Sequence, residues 1–335
     1  MLKDETGALA PVPGYLTKAL KEMPEMNSPV MPEVKIHEYD PLLDSSDMGP
    51  QDWEKMAREI EENYFLFDGF VVIMGTDTLA YTASALSFML ENLGKTVVLT
   101  GSIIPFAEVY NDARRNVVVS CLCAGTADIP EVCVFFNDEL YRGNRTVKFA
   151  NLSLQSFISP NFPPLAKLGT TINVARHLAL PQPRRAFRVH VHMETRILVL
   201  RLVPGFDDHA LKSLLTSIDG SDLCALVVEL YGSGNAPKRK HHFIDLLQRA
   251  LDQGILVVAT SQCLKGQVQL GAYAVGATLE AIGVVSALDM TTEAVVTKLA
   301  YLFGNQLPFN KVRAMLQTDL RGELTAQSTF EASRL

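Results

Sequence analysis

Residues 69–94 read GFVVIMGTDTLAYTASALSFMLENLG. The segment 69–74 is a short apolar run rich in valine and isoleucine, as is typical of a buried strand. The polar turn Gly75-Thr-Asp-Thr78 follows it, and the apolar pattern of 78–92 predicts a helix buried on most sides. Gly94 is expected to end that helix in the left-handed conformation. The stretch therefore predicts a strand, a polar turn and a helix, which together form the repeating unit of α/β proteins.

Strand and helix signals alternate along the rest of the chain. In the first half, strands are expected at 34–39, 69–74, 96–99 and 131–136, and a helix begins at Pro50. In the second half, strands are expected at 197–202, 225–231, 255–260 and 282–285, with helices near 208–217, 240–253, 292–303 and 309–318. Alternation of this kind predicts parallel sheets, because parallel pairing needs a crossover connection.

This pattern places the fold in the α/β class. We predict two open, mostly parallel α/β sheet domains, a larger one at 1–180 and a smaller one at 195–335. A linker is expected at 181–194, where prolines and arginines interrupt the periodicity.

The composition excludes several classes of protein. The 335 residues are 48% hydrophobic and 20% charged, which is typical of a folded globular chain. A net charge of -7 does not favour nucleic acid or an anionic membrane as a partner. The basic cluster at 238–242 is more typical of a solvated surface than of an RNA contact. No apolar stretch reaches the roughly 20 residues that a membrane span needs.

Cysteine usage and the first residues favour a cytoplasmic protein. The five cysteines are odd in number and form no Cys-x-x-Cys pair, which fits buried thiols in a reducing compartment. The polar, acidic start does not resemble a secretory signal. No glycine-rich nucleotide motif follows a strand, so a dinucleotide cofactor is not favoured. His190 and His192 have the spacing that places two imidazoles on one face of a strand, but no carboxylate or cysteine partner is evident, so a metal site is not favoured either.

Polar side chains follow several of the predicted strands, at the end of a parallel sheet where ligands bind. These loops are Asp44-Ser-Ser-Asp47, Gly75-Thr-Asp-Thr78, Thr100-Gly-Ser102 and the segment 141–148. All four belong to the first domain, and we expect them to converge at one edge of its sheet.

Three residues of these loops, Thr76, Asp77 and Lys148, can form a catalytic relay. A threonine hydroxyl becomes an effective nucleophile when a base lies nearby, and a lysine beside a carboxylate can provide that base. The alternative is structural, because Asp77 or Thr78 can cap the following helix and Lys148 can be a solvated surface residue. Spacing along the chain leaves both interpretations open.

These motifs resemble those of the cytosolic type I L-asparaginases, over essentially the whole chain. The residues that carry the resemblance are 70–94, Asp44-Ser-Ser-Asp-Met48, Thr100-Gly-Ser102, Tyr141-Arg-Gly-Asn-Arg145 and Leu288-Asp-Met-Thr291. The resemblance implies hydrolysis of L-asparagine to L-aspartate and ammonia through a threonine acyl-enzyme, without a metal or organic cofactor. It also implies a homo-oligomer, either a dimer or a tetramer.

The resemblance also assigns roles to individual residues. Thr76, Asp77 and Lys148 match a catalytic Thr-Lys-Asp set, and Ser102 matches a residue that contacts the side-chain amide of the substrate. The residues that match those holding the α-amino and α-carboxylate groups of the substrate are Asp44, Ser45, Ser46, Thr76 and Asp77.

Two features depart from the family pattern. The family's first strand, which carries another nucleophilic threonine, has no counterpart in this sequence, so we expect a chain that starts at an internal methionine and has impaired activity. In the second domain, the residues that match an allosteric asparagine pocket are Glu229, Asn235, Ser261 and Cys263. Glu229 stands where an arginine would bind the effector's carboxylate, and we therefore expect a degenerate pocket without cooperativity.

Two further functions are compatible with the sequence. One is a catalytically dead subunit that binds asparagine or aspartate. The other is the amidase subunit of an archaeal-type glutamyl-tRNA amidotransferase, which shares the Gly-Thr-Asp-Thr and Asp-Met-Thr motifs. The acidic net charge argues against the second of these.

Overall fold

The chain divides into two compact units. The computed structural model describes residues 2–3, 7, 9–207, 210, 213, 220, 222–238 and 241–325. The first unit spans Met1–Val191 and the second spans His192–Leu335. This division falls inside the segment 181–194 that was expected to be a linker, and the bounds of that linker stay a prediction.

The first unit is built on a six-stranded mixed sheet. The strands of this unit are β1 (Leu2–Lys3), β2 (Leu9–Ala10), β3 (Gly69–Ile73), β4 (Leu90–Glu91), β5 (Thr96–Thr100), β6 (Val132–Phe136), β7 (Glu139–Arg142), β8 (Val147–Lys148), β9 (Phe157–Ile158), β10 (Ala166–Leu168), β11 (Ile172–Val174) and β12 (Arg188–Val189). The sheet order is β11-β10-β7-β6-β5-β3, and the pairs β1-β2, β4-β12 and β8-β9 lie outside it. Strands β3, β5 and β6 are parallel, whereas β7, β10 and β11 add antiparallel pairs.

Four helices belong to the described part of this unit: α1 (Tyr15–Glu22), α2 (Pro50–Asn63), α3 (Leu79–Met89) and α4 (Ala113–Thr126). Helix α2 begins with Pro50, a position where a missing N–H is tolerated, and the Asp52 carboxylate accepts a hydrogen bond from the Gly49 N–H. Every residue of α3 except Tyr81 is buried, as its apolar sequence predicts. Side chains of α4 and β6 pack in one core, which includes Val119 and Phe135.

The second unit contains a four-stranded parallel sheet in the order β13-β14-β15-β16. Its described elements are β13 (Ile197–Arg201), β14 (Ala225–Leu230), α5 (His241–Asp252), β15 (Leu256–Ser261), α6 (Ala274–Ile282), β16 (Val285–Ser286), α7 (Thr292–Gly304) and α8 (Phe309–Leu316). The core includes Leu226 and Val257 from the sheet and Phe243 from α5. The Thr291 hydroxyl caps α7 by accepting the Ala294 N–H at 3.1 Å.

The α/β fold class is confirmed, and an antiparallel half of the first sheet is an additional finding. Strands β6 and β7 are joined by Asn137 and Asp138, which have φ values of 47° and 66°. Two consecutive residues with positive φ make a tight hairpin turn whose twist matches that of the strands. No crossover helix is then needed, so the chain reverses direction at this point.

Some local expectations were wrong. The segment 34–39 is not a strand: it pairs with no strand of the described chain, and the Glu38 carboxylate accepts hydrogen bonds from Gly14 and Thr17. The short β1-β2 pair was not expected. Asn92, with φ of 56°, takes the left-handed conformation expected for Gly94. Apart from residues 210 and 213, the helix expected at 208–217 lies outside the described residues, as do residues 239–240 of the basic cluster.

No described helix is long and apolar enough to span a lipid bilayer. All five cysteines are free thiols. Cys121, Cys123 and Cys133 are buried as expected, but Cys224 is half-buried and Cys263 is exposed, so the expectation of burial was wrong for those two. Burial raises the pKa of the Cys121 and Cys123 thiols to about 11.

Candidate active site

The turn after β3 packs against the loop that contains Asp44, Ser45 and Ser46. A Cβ at Gly75 would collide with the Ser45 hydroxyl oxygen, so glycine at this position leaves room for the buried Ser45 side chain. The Thr78 hydroxyl donates a hydrogen bond to the Ser45 carbonyl at 2.6 Å. Thr78 stands at the N-cap of α3 but makes no capping hydrogen bond with its side chain. This hydroxyl therefore joins two loops instead of capping the helix.

Lys148 lies between the two polar residues of this turn. Its Nζ donates hydrogen bonds to Thr76 Oγ1 at 2.8 Å and to Asp77 Oδ1 at 2.6 Å. The Lys148 side chain is 18% exposed, whereas that of Asp77 is 72% exposed. The structure thus brings together the three residues that the sequence analysis singled out, and Lys148 is not a solvated surface lysine. Their chemical roles stay predictions.

Lys148 is held in place by its own short strand. In the β8-β9 pair it lies opposite Phe157, which is fully buried and whose ring centroid is 4.6 Å from that of Phe136. The Thr146 hydroxyl donates to the Arg142 carbonyl at 2.7 Å and closes the turn that precedes Lys148. An anchored backbone on both sides limits the positions available to the lysine side chain.

A buried ion pair that the sequence analysis missed anchors the start of the same loop. The side chains of Arg142 and Glu131 are 5% and 3% exposed and form a salt bridge. Arg142 also donates to the Leu178 carbonyl, and Glu131 accepts the Leu180 N–H. The signal that could have revealed it is a pair of opposite charges, Glu131 and Arg142, at the outer ends of two neighbouring strand segments.

The loop at 44–46 has an internal hydrogen-bond network. Asp44 Oδ1 accepts hydrogen bonds from both the N–H and the hydroxyl of Ser46, each at 2.9 Å. Ser45 is buried, and Ser46 is exposed. The loop therefore presents a carboxylate and a hydroxyl beside the turn that carries Thr76.

Ser102 lies in the loop after β5, which touches the same turn. Gly101 is so close to the Met74 carbonyl that a side chain there would collide with it, and the same Cβ would lie 3.4 Å from Thr76 Cγ2. Ser102 itself is half-buried. The loop thus joins the cluster by backbone contact, and the role of the Ser102 hydroxyl stays a prediction.

The residues of the expected allosteric pocket lie in the second unit. Glu229, near the end of β14, accepts hydrogen bonds from Arg201 at 3.1 Å and from the Thr292 hydroxyl at 2.9 Å. At the end of β15, the Ser261 hydroxyl accepts the Cys263 N–H and donates to a backbone carbonyl. The Asn235 side chain accepts the N–H of the next residue.

Two carboxyl groups, those of Glu229 and Glu293, lie in this region, and Arg201 compensates the charge of the first. The nearby Glu293 has a pKa raised mainly by burial, and the charge of Glu229 raises it further. Such surroundings do not favour an incoming carboxylate. The degeneracy of the pocket stays a prediction.

No group of three or more histidine, cysteine or carboxylate side chains is arranged to hold a metal ion within the described ranges. In the site of the first unit, a hydroxyl and a carboxylate from the turn after the parallel strand β3 lie beside the amine of Lys148, which belongs to the antiparallel β8-β9 pair. Nucleophilic acyl transfer uses such a combination. The site therefore contains the groups that an acyl-transfer enzyme requires.

Comparison with known proteins identifies the family. Residues 1–180 match the family model described as Asparaginase, N-terminal, and residues 196–316 match the Glutaminase/Asparaginase C-terminal domain. L-asparaginase 1 of Escherichia coli (strain K12) is 45% identical over 327 residues, which is 97% of this chain and 94% of that protein. The chain belongs to the asparaginase family of amidohydrolases.

Two further relatives refine this picture. The crystal structure of L-asparaginase I from Vibrio cholerae superposes with a TM-score of 0.85 at 42% identity, covering 94% of this chain and 93% of that one. A subunit of the glutamyl-tRNA(Gln) amidotransferase from Pyrococcus abyssi is 32% identical over 98% of this chain, but over 74% of its own length. The similarity to L-asparaginases is therefore greater than that to the amidotransferase.

Proposed function

We propose that this chain hydrolyses L-asparagine to L-aspartate and ammonia through an acyl-enzyme on Thr76. The observation that carries the proposal is the position of Lys148 Nζ, which is within hydrogen-bond distance of both Thr76 Oγ1 and Asp77 Oδ1. The L-asparaginases among the relatives support the choice of substrate.

The reaction has two steps. In the first, Thr76 Oγ1 attacks the side-chain amide carbon while its proton passes to Lys148 Nζ, which acts as general base, and Asp77 stabilises the resulting ammonium. The C–N bond then breaks, and the leaving nitrogen takes the proton from Lys148 and departs as ammonia. In the second step, water gives a proton to Lys148 as it attacks the acyl carbon, the bond to Thr76 Oγ1 breaks, Lys148 passes that proton to Thr76 Oγ1, and L-aspartate is released.

Substrate recognition is assigned to the neighbouring loop. Asp44, Ser45 and Ser46, together with Thr76 and Asp77, are proposed to hold the α-amino and α-carboxylate groups. A carboxylate is a suitable partner for an ammonium group, and hydroxyls and backbone N–H groups are suitable partners for a carboxylate. Ser102 is proposed to contact the amide that reacts.

The test is ammonia release from L-asparagine, measured with Lys148→Met and a control. Removing the general base is expected to lower kcat by about 10²- to 10⁴-fold. The control, Lys167→Met, removes a lysine that also pairs with a carboxylate, at 2.7 Å from Glu139, but whose side chain is 64% exposed and lies in β10. The control should retain wild-type kinetics. A Lys148→Met variant with more than a tenth of the wild-type kcat would contradict the proposed role.

The same assay separates the alternatives. A dead binding subunit would gain thermal stability from L-asparagine without releasing ammonia. An amidotransferase subunit would require tRNA for ammonia release. The expectation of impaired turnover came from the resemblance alone and stays a prediction that the measured kcat tests. We further propose that the protein is cytoplasmic and that it forms a homo-oligomer. Sedimentation measurements test the oligomeric state.

A further inference from the structure

Two polar residues at the start of α4 hold the loop that carries Ser102. The Asp112 carboxylate accepts hydrogen bonds from the Ile103 N–H at 3.1 Å and from the Ile104 N–H at 3.0 Å. Asn116, one helical turn later, donates through Nδ2 to the Gly101 carbonyl at 2.9 Å. The same nitrogen donates to Asp112 Oδ2 at 3.1 Å. Together these two side chains bind three backbone groups of the segment 101–104.

The interaction takes place in the interior. Asn116 is 3% exposed, and Gly101 is buried. Both hydrogen atoms of the Asn116 amide nitrogen are used, one by the Gly101 carbonyl and one by the Asp112 carboxylate. Because water cannot readily replace either partner at a buried position, losing the amide leaves a carbonyl and a carboxylate without these donors.

The loop 101–104, which Asp112 and Asn116 hold, is in direct contact with the turn that carries Thr76. Gly101 packs on the Met74 carbonyl, and its Cβ position is 3.4 Å from Thr76 Cγ2. The Met74 N–H also donates to the Thr100 carbonyl at 3.0 Å. A shift of the loop therefore changes the packing against the methyl group of Thr76, which shares its Cβ with the attacking hydroxyl.

We propose that Asn116, supported by Asp112, is a positioning residue that fixes the orientation of Thr76 and Ser102 through the Gly101 carbonyl. This inference rests on the proposed function, since it assigns Thr76 the role of nucleophile. The hydrogen bonds of the Asn116 side chain go to Gly101 and Asp112 and not to Thr76 or Ser102. Asn116 therefore acts through the backbone of the loop 101–104.

This arrangement predicts a larger effect on kcat than on KM. The reacting amide would lie next to Thr76 and Ser102, whereas the α-amino and α-carboxylate groups would lie at Asp44–Ser46. A misplacement of about 1 Å in the reacting groups can lower the rate by about 10²-fold, while binding to the other groups is retained.

The test uses Asn116→Leu, which is close in size and cannot donate a hydrogen bond. We expect kcat for L-asparagine to fall by about ten- to a hundredfold and KM to change by less than about threefold. Hydrogen exchange at the Ile103 and Ile104 amides should become at least about tenfold faster, because their acceptor Asp112 loses its support.

Asn111→Leu is the matched control. Asn111 also donates to backbone carbonyls near the start of α4, those of Phe106 and Glu108, but not to the Gly101–Ile104 loop. This variant should keep wild-type kcat and wild-type exchange at Ile103 and Ile104. Equal kinetic losses in both asparagine variants would overturn the proposal, since they would reflect a general loss of folding.

A second variant guards against simple misfolding. The double variant Asp112→Asn with Asn116→Asp restores a hydrogen bond between positions 112 and 116, but it places a carboxylate against the Gly101 carbonyl. The buried carboxylate beside the carbonyl is expected to lower thermal stability, so kcat is measured at a temperature where circular dichroism shows the variant folded, and it should still be lowered at least about tenfold. Recovery of the full kcat would overturn the role of the Gly101 contact.

The exchange measurement separates this inference from the proposed function. If the wild-type chain releases no ammonia from L-asparagine, the proposed function fails, and the exchange rates still decide whether Asn116 holds the loop. Unchanged exchange at Ile103 and Ile104 in Asn116→Leu would overturn the inference even in an active enzyme.

Discussion

The buried pair of Lys298 and Glu323 allows a quantitative prediction for stability. Both side chains are 0% exposed, and Lys298 Nζ lies 2.5 Å from Glu323 Oε1. The same ammonium donates to the carbonyls of Leu316 at 2.8 Å and Thr318 at 2.6 Å. Three acceptors therefore satisfy its three hydrogen atoms, and one of them neutralises its charge.

The perturbation is Glu323→Gln, which keeps the size of the side chain and removes its charge. The ammonium of Lys298 is then buried without an opposite charge, and we expect the free energy of unfolding to fall by about 3–5 kcal/mol. The double variant Lys298→Met with Glu323→Gln removes both charges and should be more stable than Glu323→Gln alone, because no isolated charge is left.

The assay is urea unfolding followed by circular dichroism, in which a lower midpoint at constant slope reports lost stability. Glu22→Gln is the control, since Glu22 pairs at 4.0 Å with Lys18 and both side chains are largely exposed. The control should leave the midpoint unchanged. A Glu323→Gln variant within about 1 kcal/mol of wild type would refute the reasoning.

The pH dependence supplies a second test of the same pair. Burial by itself would raise the pKa of Glu323, but the attraction of Lys298 and hydrogen bonds hold it below its ordinary value of 4.5. A carboxyl whose pKa is lowered on folding stabilises the protein above its unfolded pKa, and this stabilisation is lost as the pH falls through the folded value. The difference in the free energy of unfolding between wild type and Glu323→Gln should therefore become smaller as the pH falls below 4.5.

Three further outcomes are expected. Gly101→Ala places a Cβ roughly 1 Å inside ordinary contact and should cost about 1–3 kcal/mol of stability by urea unfolding, whereas Gly169→Ala, whose nearest neighbouring atom is 3.6 Å away, should not. In a thiol titration of the folded chain, exposed Cys263 should react quickly and buried Cys121 only on unfolding. L-Asparagine saturation should be hyperbolic because Glu229 repels an effector carboxylate, and a sigmoidal curve would contradict this.

Local sequence patterns predicted most of the regular structure. The apolar run at 69–73 and the helix that begins at Pro50 appear where the pattern placed them. The segment 34–39 was one exception, because an apolar alternating run becomes a strand only when a neighbouring strand is available to pair with it. The segment 282–285 was another, because α6 extends to Ile282 and β16 begins only at Val285. The hairpin between β6 and β7 was missed because its turn, Asn137-Asp138, is a weaker signal than an Asn-Gly pair.

The candidate site was predictable in its residue types but not in its contacts. Thr76 and Asp77 are adjacent in the sequence, and their turn was recognisable from the strand before it. Lys148 lies 71 residues beyond Asp77, and its contact depends on the β8-β9 pair that carries it. The hydrogen bonds of Asn116 were not predicted, because an asparagine in a helix gives no sign of which carbonyl it will meet.

The sequence by itself determined the α/β class, the order of the main strands and helices, and the motifs of the asparaginase family, because these depend on periodicity and on short runs of neighbouring residues. The tertiary structure alone decided that Lys148 meets Thr76, that Asn116 holds the Gly101 loop and that Glu323 neutralises Lys298. Each of these contacts joins residues separated along the chain, and each is made favourable by packing that limits access of water and brings the polar groups within hydrogen-bond distance.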